Sequence, residues 1–283
     1  MNKSTTFTQL WDEGPRYTAG DAFPLSTDSI LLADFVLPRK HCRVADFGCG
    51  SGILGLLLKY REPSVHLLNI DIQQDALDTA RRNMQENGLD TDIEYFCADF
   101  QDLPAAISGH SLDLIVCNPP YFSQGSGELS PDETRKIARA ETNCTMDSLL
   151  RSVSMSLRSG GRLCMVHRPE RMSELMAAMI RYRIEPKRIR FVQHSIRHKA
   201  SLILVEGRYV GNPGLQVEPV LILHEQDGTM TPEAKPSRSF CTNVGISRFI
   251  KNTKADPRAV PSKGIIKATN TGLIITQFPT LQR

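Results

Sequence analysis

The sequence predicts an α/β protein: a doubly wound, mostly parallel seven-stranded sheet with helices on both faces and an antiparallel hairpin at one edge. Three observations carry that expectation. Apolar runs near 43–47, 65–70, 92–97, 112–117 and 161–166 alternate with helical stretches near 52–60, 73–87, 145–158 and 170–181, the order that builds parallel strands joined by crossover helices. The first run leads directly into a glycine-rich turn. Two further runs, at 188–192 and 202–205, are separated only by a polar, basic link and read as a hairpin.

Taken in order, Thr27-Asp28 reads as a helix start ahead of the apolar stretch 30–35. Val44-Ala45-Asp46-Phe47 then runs into Gly48-Cys49-Gly50-Ser51-Gly52, whose glycines let the backbone approach a ligand at a helix N-terminus. The spacing is G-x-G-x-G rather than the dinucleotide fingerprint, and it is weak evidence alone. Context strengthens it, because the second strand ends in Asp71, 19 residues after Gly52. A carboxylate there can accept hydrogen bonds from two ribose hydroxyls; its bland alternative is a helix cap. The next helix stops at Asn87-Gly88, a good C-terminal signal. The third strand leads to Ala98-Asp99-Phe100, where Asp99 can accept from an adenine amine and Phe100 can pack on its ring or join the core.

The fourth strand ends in Asn118-Pro119-Pro120-Tyr121. Two prolines make a stiff corner, able to aim the Asn118 amide oxygen and the Pro119 carbonyl at one point, while Tyr121 can stack on a flat ring. An aromatic amine is a weak nucleophile because its lone pair is delocalised. Two acceptors on its N–H bonds localise that pair by position and electrostatics, with no base required. Such an amine needs a strong electrophile, which the glycine turn and Asp71 are suited to bind.

Four landmarks in order, DFGCGSG, NID, ADF and CNPPY, resemble the class I S-adenosylmethionine-dependent methyltransferases of exocyclic amines. The stretch 23–35, Ala138-Arg139-Ala140-Glu141, Gly160-Gly161-Arg162-Leu163 and Val166-His167-Arg168-Pro169-Glu170-Arg171 are similar to the bacterial tRNA1(Val) adenine-N6-methyltransferases, which act beside the anticodon. The likeness covers residues 15–235. It implies a Rossmann-like fold, S-adenosylmethionine as cofactor and an adenine N6 of tRNA as acceptor. It implies catalytic roles for Asn118, Pro119, Pro120 and Tyr121, and cofactor contacts from Thr27, Asp28, Asp46, Gly48, Gly50, Gly52, Asp71, Ile72, Asp99, Phe100 and Asn118. Asp46 can meet the methionine amine or simply brace the turn, and Thr27 and Asp28 can serve only as a helix start. His167 reads as a positioned histidine rather than a general base. Three rivals stay open: a guanine-N2 methyltransferase of ribosomal RNA, a protein-glutamine methyltransferase of release factors, and a cofactor-binding RNA module without turnover.

The chain has 283 residues and a net charge of +3. Residues 181–210 carry eight Lys/Arg against two Asp/Glu, and residues 236–283 carry eight against one, whereas residues 1–180 are acidic. A polyanion would be steered by the basic blocks. Arg181, Lys187, Arg188, Arg190, Arg197 and Lys199 are therefore expected at the RNA phosphates, although a charge run is usually just a solvated face. Cys42, Cys49, Cys97, Cys117, Cys144, Cys164 and Cys241 are scattered without metal-ligand spacing. The expectation is no metal, no membrane span, no secretion, a monomer and a cytoplasmic location. Residues 1–235 form the expected catalytic domain, with 1–40 as its N-terminal cap region and 236–283 as an appended, poorly ordered tail. The Gly/Ser/Glu-rich segment between Tyr121 and Thr145 reads either as a lid over substrate or as a plain surface loop.

Overall fold

Strands whose successive side chains are all apolar have no solvent face and must be buried between two layers. The computed structural model, which describes residues 6–11, 13–20, 25–119 and 145–234, has that arrangement. Its elements are β1 (Thr8–Gln9), β2 (Arg16–Tyr17), α1 (Thr27–Phe35), β3 (Arg43–Phe47), α2 (Ile53–Arg61), β4 (His66–Asp71), α3 (Gln74–Glu86), β5 (Ile93–Cys97), α4 (Ala105–Ser108), β6 (Leu112–Cys117), α5 (Met146–Ser156), β7 (Leu157–His167), α6 (Met172–Arg181), β8 (Ile184–Gln193), β9 (Ala200–Tyr209), β10 (Gln216–Val217) and β11 (Leu221–Ile222). Pro120, Tyr121, the segment up to 144 and residues 235–283 lie outside the described residues, as do the lid and tail expectations.

The sheet runs β10-β8-β9-β7-β6-β3-β4-β5, with β11 also paired to β8. Strands β3 to β7 pair parallel with their neighbours, while β9 is antiparallel to both β7 and β8. Seven long strands thus form the expected sheet, and two short segments cover the β8 edge. Alternate strand residues feed two cores. Val44, Leu67, Leu114 and Val116 pack with α1 and α2 residues such as Leu32 and Leu56, and Ala45, Leu68, Ile70 and Ile115 pack with Leu149 and Leu150 of α5.

Two strands begin earlier than the sequence suggests. β7 starts at Leu157, ahead of Gly160-Gly161, because a register shift between Leu112 and Leu114 absorbs the glycines. β8 starts at Ile184 and contains Pro186, where a second irregularity falls between Pro186 and Arg188. The N-terminal region is more than a cap helix. Its β1–β2 hairpin turns buried Trp11 and Tyr17 inward, and Thr18 is held from both backbone groups by the Asn83 amide of α3.

Candidate active site

Chain order reverses at β3: β4 and β5 lie on one side of it, and β6 and β7 on the other. Ligands of open α/β sheets bind outside the carboxyl ends of the strands at such a switch point. Register brings the expected residues there together. Phe47 is level with Ile70, and Asp46 with Val116. Gly48 and Asp71, one step beyond the first pair, and Asn118, two steps beyond Val116, therefore leave three adjacent strands at one height. Asp71 pairs with Cys97, which puts Asp99 two residues beyond on β5.

The glycine turn is held from behind and open in front. Gly48 and Cys49 N–H both donate to Ile70 O, at 2.9 and 3.0 Å. Gly50 N donates to Asp71 Oδ2 at 2.8 Å, and Gln73 N to Asp71 Oδ1 at 2.9 Å. Asp71 thus clamps the turn and starts α3, with lone pairs left on both oxygens; burial raises its pKa, opposed by these N–H groups. Gly48 and Gly50 have φ of +70° and +53°, and a Cβ on either would meet nothing within 4 Å. That is a cradle in front of the turn. At Gly52 (φ +77°) the opposite holds, since a Cβ would lie 2.7 Å from the Ala80 Cβ. From the side, Tyr17 hydrogen-bonds Ser51 through their hydroxyls, and Asn83 Nδ2 donates to Ser51 O at 2.8 Å.

Asp46 is fully buried beneath the turn. Its Oδ2 accepts from Gly55 N at 3.2 Å, which braces the turn, while Oδ1 is buried with no hydrogen-bond partner among the described residues. Burial first, and then Asp71, push its pKa to about 7. Between pH ~4 and ~7 the folded state holds a proton that the unfolded chain has lost, so stability must fall as pH rises through that window. Chemical denaturation of the wild type should show this decline, and Asp46→Asn should flatten it; a parallel pH slope in the variant would remove Asp46 as its source.

The other positions divide. Ile72 is 56 % exposed beside Asp71, an apolar surface free to meet a flat ring. Asp99 caps the short 3-10 turn Phe100–Asp102 through Gln101 N at 2.8 Å. Phe100, half-buried, stacks on buried Phe47 with centroids 6.1 Å apart. Thr27 and Asp28 open α1 at half-buried positions. His167 is buried and its pKa is lowered by burial, so the ring stays neutral.

Asn118 brings in two residues that sequence reasoning overlooked as functional. Its Nδ2 donates to Ser29 Oγ at 2.9 Å and to Ser26 Oγ at 3.3 Å. Ser26 is visible in the sequence as a helix cap; its link to Asn118 spans 92 residues and has no local signal.

The expected phosphate contacts differ in their surroundings. Arg188 pairs with Glu206 and Glu218, donates to Phe35 O and lies over the Phe35 ring. Arg190 pairs with Glu233, Lys187 donates to Asn212 O, and Arg181 pairs with Asp147. These contacts tie β8 and the helix before it to neighbouring segments. Arg197 and Lys199, by contrast, stand exposed in the β8–β9 turn. Because β8 runs parallel to β6 and β7, that turn lies on the same carboxyl edge as Asn118.

Among the described residues no group of three or more His, Cys, Asp or Glu could hold a metal ion, and no helix is long and apolar enough to cross a membrane.

Residues 25–185 match the family model described as methyltransferase small domain, more than half of the chain. Curated relatives include tRNA1(Val) (adenine(37)-N6)-methyltransferases. That of Aliivibrio salmonicida is 26 % identical over 86 % of this chain and 100 % of its own length. That of Porphyromonas gingivalis is 29 % identical over 76 % and 86 %, respectively. Among solved structures, a predicted O-methyltransferase from Agrobacterium tumefaciens superposes with a TM-score of 0.60 at 23 % identity, covering 73 % of this chain and 92 % of that one. The latter likeness is one of fold.

Proposed function

The chain belongs to the methyltransferase small domain family, and from that premise we propose that it methylates the N6 amine of an adenine in tRNA, with S-adenosylmethionine as donor. The observation that carries the proposal is the carboxamide of Asn118. Its NH2 is engaged by two serines, which leaves Oδ1 as an acceptor at the switch point, level with the glycine turn and Asp71. The tRNA specificity is that of the curated relatives.

The residues present fit the donor. Open space before Gly48 and Gly50 admits a ligand against the backbone, Asp71 retains lone pairs for ribose hydroxyls, and Ile72 offers an apolar face to the adenine. When bound, the donor supplies an electrophilic methyl group on a sulfonium sulfur. Asn118 Oδ1 and the Pro119 carbonyl accept the two N–H bonds of the substrate amine, which localises the nitrogen lone pair for in-line attack. The methyl group would pass from the donor's sulfur to that nitrogen, and the surplus proton on nitrogen would pass to water. No side-chain base is needed.

A stacked base cannot reach such a corner, so the adenine must be splayed from its neighbours, which RNA loops permit at low cost. Arg197 and Lys199 hold the flanking phosphates, and the enzyme works in the cytoplasm. Neutralising both should weaken tRNA binding and lower the salt slope of log K by about 1.5, while Lys187→Ala should leave the slope unchanged. Filter binding across a salt series measures this; equal slopes in all three proteins would take the RNA off this edge.

The decisive assay offers labelled S-adenosylmethionine to unmodified tRNA and, separately, to ribosomal RNA and release factor. Label in N6-methyladenosine of tRNA is the expected outcome. Label in guanine N2 or in a glutamine amide would reassign the acceptor.

A further inference from the structure

The Asn118 carboxamide has two ends of opposite sense, and only one serves an amine. Oδ1 accepts an N–H; Nδ2 donates and would repel one. The terminal torsion of asparagine is broad and nearly two-fold, so an unsupported side chain would present either end. In this chain α1 decides between them. Ser26 Oγ and Ser29 Oγ lie 3.2 Å apart, and Nδ2 donates to both. Both hydroxyls are themselves fixed. Ser26 caps α1 by accepting from Ser29 N, and Ser29 is buried in the first turn of the helix.

We propose that Ser26 and Ser29 are positioning residues, which lock Asn118 with Oδ1 turned to the acceptor amine. The inference deepens the function proposed above and rests on it. As the side chain stands, both hydroxyl oxygens accept from the single NH2, and Oδ1 is turned the other way. The lock acts before substrate arrives, so the orientation cost is not borne in the transition state. It also couples the reactive corner to the helix that starts at the same cleft: α1 packs against α2, whose N-terminus carries the glycine turn. Neither hydroxyl touches the reacting atoms. Their removal should slow the chemical step and leave the binding of donor and RNA as it was.

The test uses the full chain, labelled S-adenosylmethionine and unmodified tRNA, with Asn118→Ala run in parallel. Ser26→Ala/Ser29→Ala should lower kcat about tenfold, with the KM for tRNA and the calorimetric affinity for S-adenosylhomocysteine unchanged. Ser29→Ala alone, which leaves one acceptor, should lose about threefold in kcat. Ser26→Thr keeps both the cap and the hydroxyl, so it should retain the wild-type rate. Thermal melts of each variant check folding, and the single variant carries the test if the double one unfolds. Wild-type kcat in Ser26→Ala/Ser29→Ala overturns the inference, as does a loss confined to KM or to donor affinity. Failure of the underlying function looks different: there Asn118→Ala itself would remain active. An inactive Asn118→Ala beside a fully active serine variant refutes the positioning role alone.

Discussion

Asn118→Ala should all but abolish methyl transfer while S-adenosylhomocysteine still binds. The expected fall in kcat is a hundredfold to a thousandfold, about what loss of one preorganised polar contact in a transition state costs. The physical reason lies in the nucleophile. Without the amide oxygen, the incoming amine keeps only one acceptor, at Pro119, and its nitrogen stays planar with the lone pair spread into the ring. The groups proposed to hold the donor, the glycine turn and Asp71, are others, and the variant leaves their contacts intact. Folding should suffer little, because Asn118 is only part-buried and its partners are two hydroxyls that water can satisfy. A labelled-methyl assay and calorimetric titration measure the two halves of this expectation. Full turnover in the variant would remove Asn118 from the chemistry.

Asp71→Ala should do the reverse and weaken donor binding about tenfold to a hundredfold, with kcat at saturating donor closer to the wild type. Two effects add. The carboxylate that would accept ribose hydroxyls is gone, and so is the acceptor of Gly50 N and Gln73 N. Leaving such N–H groups short of a partner costs about 1–3 kcal/mol each where water cannot reach them. The turn therefore loosens as well as losing its ligand. Asp71→Asn, which keeps one acceptor oxygen, should fall between the two. Unchanged affinity for S-adenosylhomocysteine in Asp71→Ala would mean that the donor sits elsewhere.

The two variants thus separate binding from chemistry at positions on adjacent edges of one cleft. That division was legible in advance because each residue directly follows an apolar strand. In a parallel sheet the carboxyl ends of the strands converge on one edge, so Gly48, Asp71 and Asn118 could be assigned to one site from their places in the chain. Less could be read where polar residues act across long sequence distances. Pro186 and Gly160-Gly161 look like strand breakers, yet β8 and β7 run through them because bulges absorb the misfit. Arg188 and Arg190 look like a cationic edge, yet Glu206, Glu218 and Glu233 neutralise them from other segments. Phe100 and Asp46 read as ligand contacts in the sequence, and only the structure sets Phe100 against Phe47 and Asp46 against Gly55 N.

Local order and composition by themselves determined the alternation of strands and helices, the two-layered burial of the sheet and the edge on which Gly48, Asp71 and Asn118 meet. Those properties follow from periodicity and from which residues carry apolar side chains. Only the tertiary structure decided which cations remain available to a phosphate, and which hydroxyls hold the Asn118 amide. Both are matters of pairing between groups dozens of residues apart, and hydrogen bonds and ion pairs reach only a few ångströms.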